Sequence, residues 1–160
     1  IKLNVFLPKT KEQLLRCYEL VLRTNQLNMS GVKYSESEFQ AVLTKEHYKT
    51  FAVSCKDKFG EYGIVAFIQY YIEDECIKFS EFAMSCRVAG KFVESALFKY
   101  LLNMEHVNKG YFSLRITEKN KLLRNTLESI GFKTIRSDQK SVSYEFDGNL
   151  HNSDLVIVEE

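Results

Sequence analysis

A change of hydrophobic period along the chain predicts a mixed α/β architecture. Residues 10–43 carry apolar side chains at helical spacing behind two capping signals, whereas residues 51–85 hold strand-like runs rich in Val, Ile, Phe and Tyr. Beyond residue 90, helical and strand-like segments alternate. That order fits a mixed central sheet with helices on both faces.

Thr10-Lys11-Glu12-Gln13 has the pattern of a capping box, in which the Thr and Gln side chains satisfy each other's backbone N–H groups. It predicts a helix to about residue 25 with Leu14, Leu15, Tyr18, Val21 and Leu22 inside. Ser35-Glu36-Ser37-Glu38 repeats the signal and predicts a shorter helix burying Phe39, Val42 and Leu43. Residues 28–34 between them, with Gly31 and polar neighbours, read as a loop. Strands are expected at 51–56, 63–73 and 76–85, joined by turns as an antiparallel meander. A helix after Gly90 places Phe92, Val93, Ala96, Leu97, Tyr100, Leu101 and Met104 on its apolar side, with Lys91, Glu94 and Lys99 on the other. A strand at 111–117, a helix at 120–130 ending at Gly131, and short strands at 141–146 and 154–158 complete the order.

Composition narrows the functional classes. A length of 160 residues predicts one domain over 1–160, and a 45% hydrophobic share with 12 Phe and 9 Tyr supplies a core. The net charge of +1 gives no bulk attraction to nucleic acid or to a membrane surface, so neither is expected as a partner. No apolar run approaches the ~20 residues of a spanning helix. The start, Ile1-Lys2-Leu3-Asn4, lacks the pattern of a signal peptide. Cysteines at 17, 55, 76 and 86 have no Cys-x-x-Cys spacing, and histidines at 47, 106 and 151 are scattered. The expectation is no metal, free thiols and a cytoplasmic setting.

The stretch from Glu81 to Glu94 is the most informative chemically. It reads as a strand that turns sharply into a helix, with Arg87-x-x-Gly90 at the junction. A helix start holds phosphate well, because its first N–H groups lack partners and the macrodipole adds positive charge. Met84, Arg87, Val88, Gly90, Lys91 and Phe92 are therefore candidates for binding a phosphate-bearing cofactor, joined by Asn120 at the start of the later helix. Cys86, beside Arg87, is a candidate nucleophile; the alternative is a small packing residue at the strand's end. Strand alternation sets Ser85 and Cys86 on opposite faces. Glu94 is a candidate base or a binder of a substrate hydroxyl; the alternative is a first-turn carboxylate that favours the helix dipole.

That order of elements, with Arg87-x-x-Gly90 after the third meander strand, resembles the GNAT acyltransferase fold. Arg87 and Gly90 match the family turn, while Phe92 stands where the family has Gly or Ala. A second family pattern is matched by Asn120 and Gly131-Phe132, with Leu127 where many members have a Tyr that protonates the leaving thiolate. The resemblance implies coenzyme A or an acyl-CoA as cofactor, with Asn120 at the pantetheine amide.

Four further blocks are similar to the C-terminal GNAT-like domain of FkbH-like proteins. They are residues 23–28 followed by 34–38, residues 56–65, residues 85–91 with Glu94, and Thr117-Glu118-Lys119-Asn120. The resemblance implies transfer of a small acyl unit such as glyceryl to the phosphopantetheine of an acyl carrier protein, in polyketide-type biosynthesis. It further implies that Asn25, Gln26 and Asn28 bind the acyl group. The chain would then be the C-terminal part of a longer protein whose HAD-type phosphatase domain lies elsewhere on that chain. The carrier arm is expected between the strand ending at Cys86 and the strand 111–117. Two other readings stay open: a carrier-docking module without chemistry, and a stand-alone N-acetyltransferase using acetyl-CoA.

Overall fold

The computed structural model describes residues 1–159. The elements run β1 (Lys2–Phe6), α1 (Lys11–Arg23), α2 (Glu36–Leu43), β2 (Lys49–Asp57), β3 (Gly60–Glu73), β4 (Cys76–Met84), α3 (Val93–Glu105), β5 (Lys109–Arg115), α4 (Lys121–Ile130), β6 (Lys133–Ser137), β7 (Ser141–Asp147) and β8 (Ile157–Glu159). One 8-stranded sheet has the order β6-β7-β5-β4-β3-β2-β1-β8. β2, β3 and β4 form the expected antiparallel meander, while the β4–β5 and β1–β8 pairs are parallel.

Strand β3 is the middle of the molecule. Residues 65–70 are all buried, the signature of a strand covered on both faces rather than one. Ile68 and Tyr70 point into the larger core with α3 and α4, and Phe67 points into a smaller one with Cys17, Val21 and Phe39 from α1 and α2. β4 alternates likewise, Phe82 and Met84 toward α3 and Ala83 toward α1. The large core is built from aromatics: Phe98 lies 5.3–5.5 Å, ring centre to ring centre, from Phe79, Phe82 and Phe146, and Phe132 stacks on Phe146 at 4.5 Å.

Both capping boxes form. Gln13 N–H donates to Thr10 Oγ1 at 3.1 Å and Thr10 N–H to Gln13 Oε1 at 3.1 Å; Ser35 and Glu38 repeat the exchange. α1 turns a slightly different stripe inward than its periodicity suggests. Cys17, Leu20 and Val21 are buried, Leu14 and Leu22 are half-buried, and Leu15 is exposed. Cys17 and Val21, with Tyr18 at their side, pack on Phe67 of β3 and Ala83 of β4.

Two strands are additional to the sequence expectation. β1 pairs with β2, and its other edge takes β8, so the last strand lies on the far side of the sheet from β7. β6 pairs with β7 although every residue in it is exposed, so backbone hydrogen bonding defines it and no apolar pattern marks it. α3 starts at Val93, later than expected. Phe92 sits outside the helix in the left-handed region (φ 63°) and is 39% exposed, instead of burying its ring with Val93 and Leu97.

Candidate functional site

β4 and β5 pair only at one end, Cys76–Lys78 against Lys109–Tyr111, and diverge beyond it. Divergence of two parallel strands opens a notch at their carboxyl ends, and two segments converge there. One is the α1–α2 connection, the other the turn from β4 into α3. The chain itself fills part of the notch: Met29 N–H donates to Phe82 O at 2.8 Å, and Met84 N–H donates to Leu27 O at 2.9 Å. Asn28, buried at the centre of this bridge, donates from Nδ2 to the carbonyls of Val21 and Thr24, both at 3.0 Å, and accepts from Gly31 N–H at 2.9 Å. Met84 therefore presents no free N–H to a cofactor, and its side chain is buried toward α3.

A groove of about 450 Å³ remains between this connection and the far end of β5. Thr24, Asn25, Asn28, Met29 and Ser30 line one wall, and Arg115, Thr117, Lys119 and Asn120 the other. Asn120 stands at the N-cap position of α4, where a side-chain cap would be usual. It makes no such cap; Oδ1 instead accepts from Thr117 N–H at 3.1 Å and from Arg124 Nε at 3.2 Å. Nδ2 donates to Arg115 O at 2.5 Å, so Asn120 ties the end of β5 to the start of α4. A second groove, about 410 Å³, is lined by Arg16, Arg23, Thr24, Asn25, Gln26, Ser85, Cys86 and Arg87. Thr24 and Asn25 belong to both. Lys33 Nζ holds Asn25 Oδ1 at 3.2 Å.

The turn between β4 and α3 begins as a short 3-10 helix over Cys86–Val88, with Arg87 N–H donating to Ser85 Oγ at 3.4 Å. The strand ends at Met84, so alternation no longer governs Ser85 and Cys86. Cys86 is exposed and its Sγ lies 3.6 Å from Gln26 Oε1. Arg87, Gly90 and Lys91 are exposed, and Val88 is buried. Gly90 has φ 75°, and open space surrounds the position of a Cβ there; conformation, not crowding, selects glycine. The sequence pattern set Glu94 on the polar side of α3. It is instead fully buried, with Oε1 accepting from Gly90 N–H at 3.3 Å and Oε2 left without a partner. Burial pushes its carboxyl above the ordinary range, against the opposing pull of its own amide and that of Gly90.

Sequence reasoning passed over Glu81. It lies on β4 beside a register shift opposite Gln69 and Tyr70 that leaves Ser80 as an extra residue. Its side chain is 2% exposed, with Oε2 accepting from Ser30 Oγ at 2.8 Å and from the Tyr34 hydroxyl, and Oε1 unpartnered. Burial raises its pKa, partly offset by those two donors. A charged residue directly before the apolar run Phe82-Ala83-Met84 of one strand was the available signal. Of the residues singled out from sequence, Asn25, Asn28 and Asn120 share one groove, and Asn25, Gln26, Cys86 and Arg87 the other. Glu94, Val88 and Met84 face inward instead.

The fold is that of the GNAT acetyltransferases. A ribosomal-protein-alanine N-acetyltransferase of Escherichia coli superposes with a TM-score of 0.61 at 14% identity, over 96% of this chain and 98% of that one. Spermidine N-acetyltransferase of Vibrio cholerae, in complex with CoA and spermine, gives 0.62 at 12% identity over 92% and 96%. The PaiA N-acetyltransferase of Thermoplasma acidophilum, in complex with coenzyme A, gives 0.61 at 12% identity over 92% and 99%. No protein-family model matches the sequence, and no curated protein does. Among the described residues no cluster suited to a metal ion occurs, and no helix is long and apolar enough to cross a membrane.

Proposed function

We propose that the chain is an acyltransferase domain that accepts a phosphopantetheine thiol at the notch between β4 and β5. The observation that carries this reading is the notch itself. Strand divergence opens it on a fold that coenzyme A-bound acetyltransferases share, and two grooves lined by Asn25, Asn28, Asn120, Cys86 and Arg87 meet there. The acyl unit is small and polar, with glyceryl the favoured member, because polar and charged side chains, among them Asn25, Ser30, Arg115, Thr117 and Lys119, line the groove that takes it. The thiol is that of a phosphopantetheine arm, on an acyl carrier protein or as coenzyme A. A HAD-type domain on the same longer chain would supply the activated acyl donor.

In the step proposed, the thiol sulfur attacks the acyl carbonyl, a new C–S bond forms, and the bond to the donor breaks. The thiol proton passes to the departing group, with Glu81 as the intermediate acceptor linked to the groove through Ser30 Oγ. Cys86 offers an alternative two-stage route in which its thiol carries the acyl group between donor and carrier. Holding donor and thiol together removes an entropic barrier, and this supplies much of the rate.

Intact mass of the protein after incubation with a glyceryl-loaded donor tests the covalent route. A glyceryl-sized gain that disappears in Cys86→Ala supports transfer through Cys86, and full turnover by that variant removes Cys86 from the mechanism. A second reading, docking of the carrier without chemistry, is favoured by one observation: Leu27 O already occupies the Met84 N–H. Carrier binding seen by NMR, with no acyl exchange from any donor, would replace the first reading with the second.

A further inference from the structure

The first turn of α3 holds a carboxylate where a bound anion would otherwise sit. α3 is a helix of 13 residues, so its start presents unpaired N–H groups and partial positive charge. Anions settle at such a place. Here the chain supplies its own. Glu94 is fully buried, its Oε1 takes the Gly90 N–H at 3.3 Å, and its Oε2 is buried without a partner. A surface residue that merely favours the helix dipole would keep its carboxylate in water and both oxygens hydrated. Phe92, 39% exposed in the left-handed conformation at the N-cap, adds bulk beside the same N–H groups.

We propose that Glu94 occupies the anion seat of this turn and so selects a thiol borne on the neutral pantetheine arm of a carrier protein, against coenzyme A, whose diphosphate needs that seat. A diphosphate entering at Gly90 must displace Oε1 and lie against a like charge. Burial keeps that charge unscreened by salt. Among the described residues no cation pairs with it, and its Oε2 has no partner. A carrier-borne arm has one phosphate, a diester at the carrier's surface, which can remain outside the seat. Free coenzyme A carries a diphosphate and cannot avoid it as easily. This inference rests on the reading of the notch as a phosphopantetheine thiol site, and deepens it by naming the form in which the thiol arrives.

Calorimetric titration with coenzyme A and with pantetheine, at neutral pH, tests it. The wild-type protein is expected to bind both with affinities within about threefold of each other, since the charge gained from the phosphates is offset by the seated carboxylate. Glu94→Gln keeps the shape and removes the charge; it should tighten coenzyme A by about tenfold or more and leave pantetheine unchanged. Glu94→Ala, which empties the seat, should do the same, and 31P NMR of inorganic phosphate should show binding to it and not to the wild type. Coenzyme A that binds the wild type tenfold tighter than pantetheine, with that ratio unmoved in Glu94→Gln, overturns the role of Glu94 and leaves the thiol site standing. Failure of both ligands to bind wild type and variants alike overturns the role and the site together. If Glu94→Ala does not fold, the near-isosteric Gln variant decides the question alone.

Discussion

Met84 N–H donates to the Leu27 carbonyl at 2.9 Å, across a gap that the divergence of β4 and β5 would otherwise leave open. A residue of the α1–α2 connection thus occupies the edge of β4 at the place where the sequence suggested that a cofactor's arm would lie. Leu27 and Met29 are buried in the larger core, so the bridge is a packed part of the fold. Any arm entering the notch lies beyond the bridge, toward Asn120 and Arg115, or displaces it.

The bridge depends on Asn28. Its side chain makes three buried or part-buried hydrogen bonds, to Val21 O, Thr24 O and Gly31 N–H. Asn28→Ala leaves these groups unsatisfied and should lower unfolding free energy by about 1–3 kcal/mol. Urea denaturation measures the loss. Hydrogen exchange should quicken at the Met84 amide far more than at Ser85, whose N–H bonds to Val65 O on the opposite edge. Equal change at both amides would mean that Asn28 supports the fold generally and not the bridge.

Gly110 on β5 lies under the Phe146 ring. A Cβ there would stand 2.2 Å from Phe146 Cζ, so Ala forces the ring or the strand to move. Gly110→Ala should destabilise by about 1–3 kcal/mol through overpacking. Part of that loss should return in the Gly110→Ala, Phe146→Leu double variant, because the two sites share one space. Strict additivity of the two changes, by thermal or urea unfolding, would contradict the contact.

Thiol chemistry separates the four cysteines. Cys86 is exposed, Cys76 half-buried, and Cys17 and Cys55 buried. Burial pushes the Cys17 thiol up to about 12 and raises that of Cys55 as well. A native-state titration with an aromatic disulfide reagent should show one fast thiol, lost in Cys86→Ala. The Cys17 and Cys55 thiols should react only on unfolding. Fast labelling that persists in Cys86→Ala would place the reactive thiol elsewhere.

Two buried carboxylates make stability depend on pH with a definite sign. Burial raises the carboxyl pKa of Glu81 and of Glu94 above the unfolded value. Between the ordinary carboxylate range and those raised values the folded state holds more protons than the unfolded state. Stability therefore falls as pH rises through that window, by at most about 1.4 kcal/mol per pH unit for each group. The contribution is fully present below the ordinary range. Glu81→Gln with Glu94→Gln should flatten the profile, read from denaturation midpoints across acid to neutral pH. An unchanged slope in the double variant would assign the pH dependence to other groups.

Glu81 is also the residue whose loss should separate chemistry from binding. If it receives the thiol proton, Glu81→Gln should slow acyl transfer by roughly 10²–10⁴-fold with ligand affinity unchanged. Tyr34→Phe, which removes one of its donors, should have a smaller effect and shift the pH–rate profile. Retention of full rate in Glu81→Gln would leave its burial without a catalytic purpose.

Much of the framework was legible from local pattern. The capping boxes at Thr10 and Ser35, the meander, the end of α4 at Gly131 and the placement of helices on both faces each depend on neighbours a few residues apart. β6 was not legible, because its five residues are all exposed and carry no alternation. A strand near the end of the chain was expected, but β1 and its pairing with β8 were not legible, because the two lie at opposite ends of the chain. Asn25, Gln26, Asn28, Cys86, Arg87 and Asn120 were visible as residue types at turns. That Asn25 would line both grooves was not visible, since it depends on how α1 docks.

Glu94 and Glu81 mark the division most clearly. Helical spacing set Glu94 outside, because a period reports which side of an isolated helix is apolar. It does not report what the preceding turn folds over that side. The 3-10 turn and Gly90 at φ 75° wrap back on α3 and enclose the carboxylate. Glu81 is likewise buried by the loop holding Ser30 and Tyr34, whose hydroxyls reach it across about fifty positions of sequence. Local periodicity specified the helices, most of the strands and the turn where a phosphate would be sought. The fold of the β4–α3 turn over Glu94, and the docking of the α1–α2 connection over Glu81 and the β4 edge, buried these two carboxylates and filled that edge, because burial and hydrogen-bond partners are properties of the assembled surface and not of a hydrophobic period.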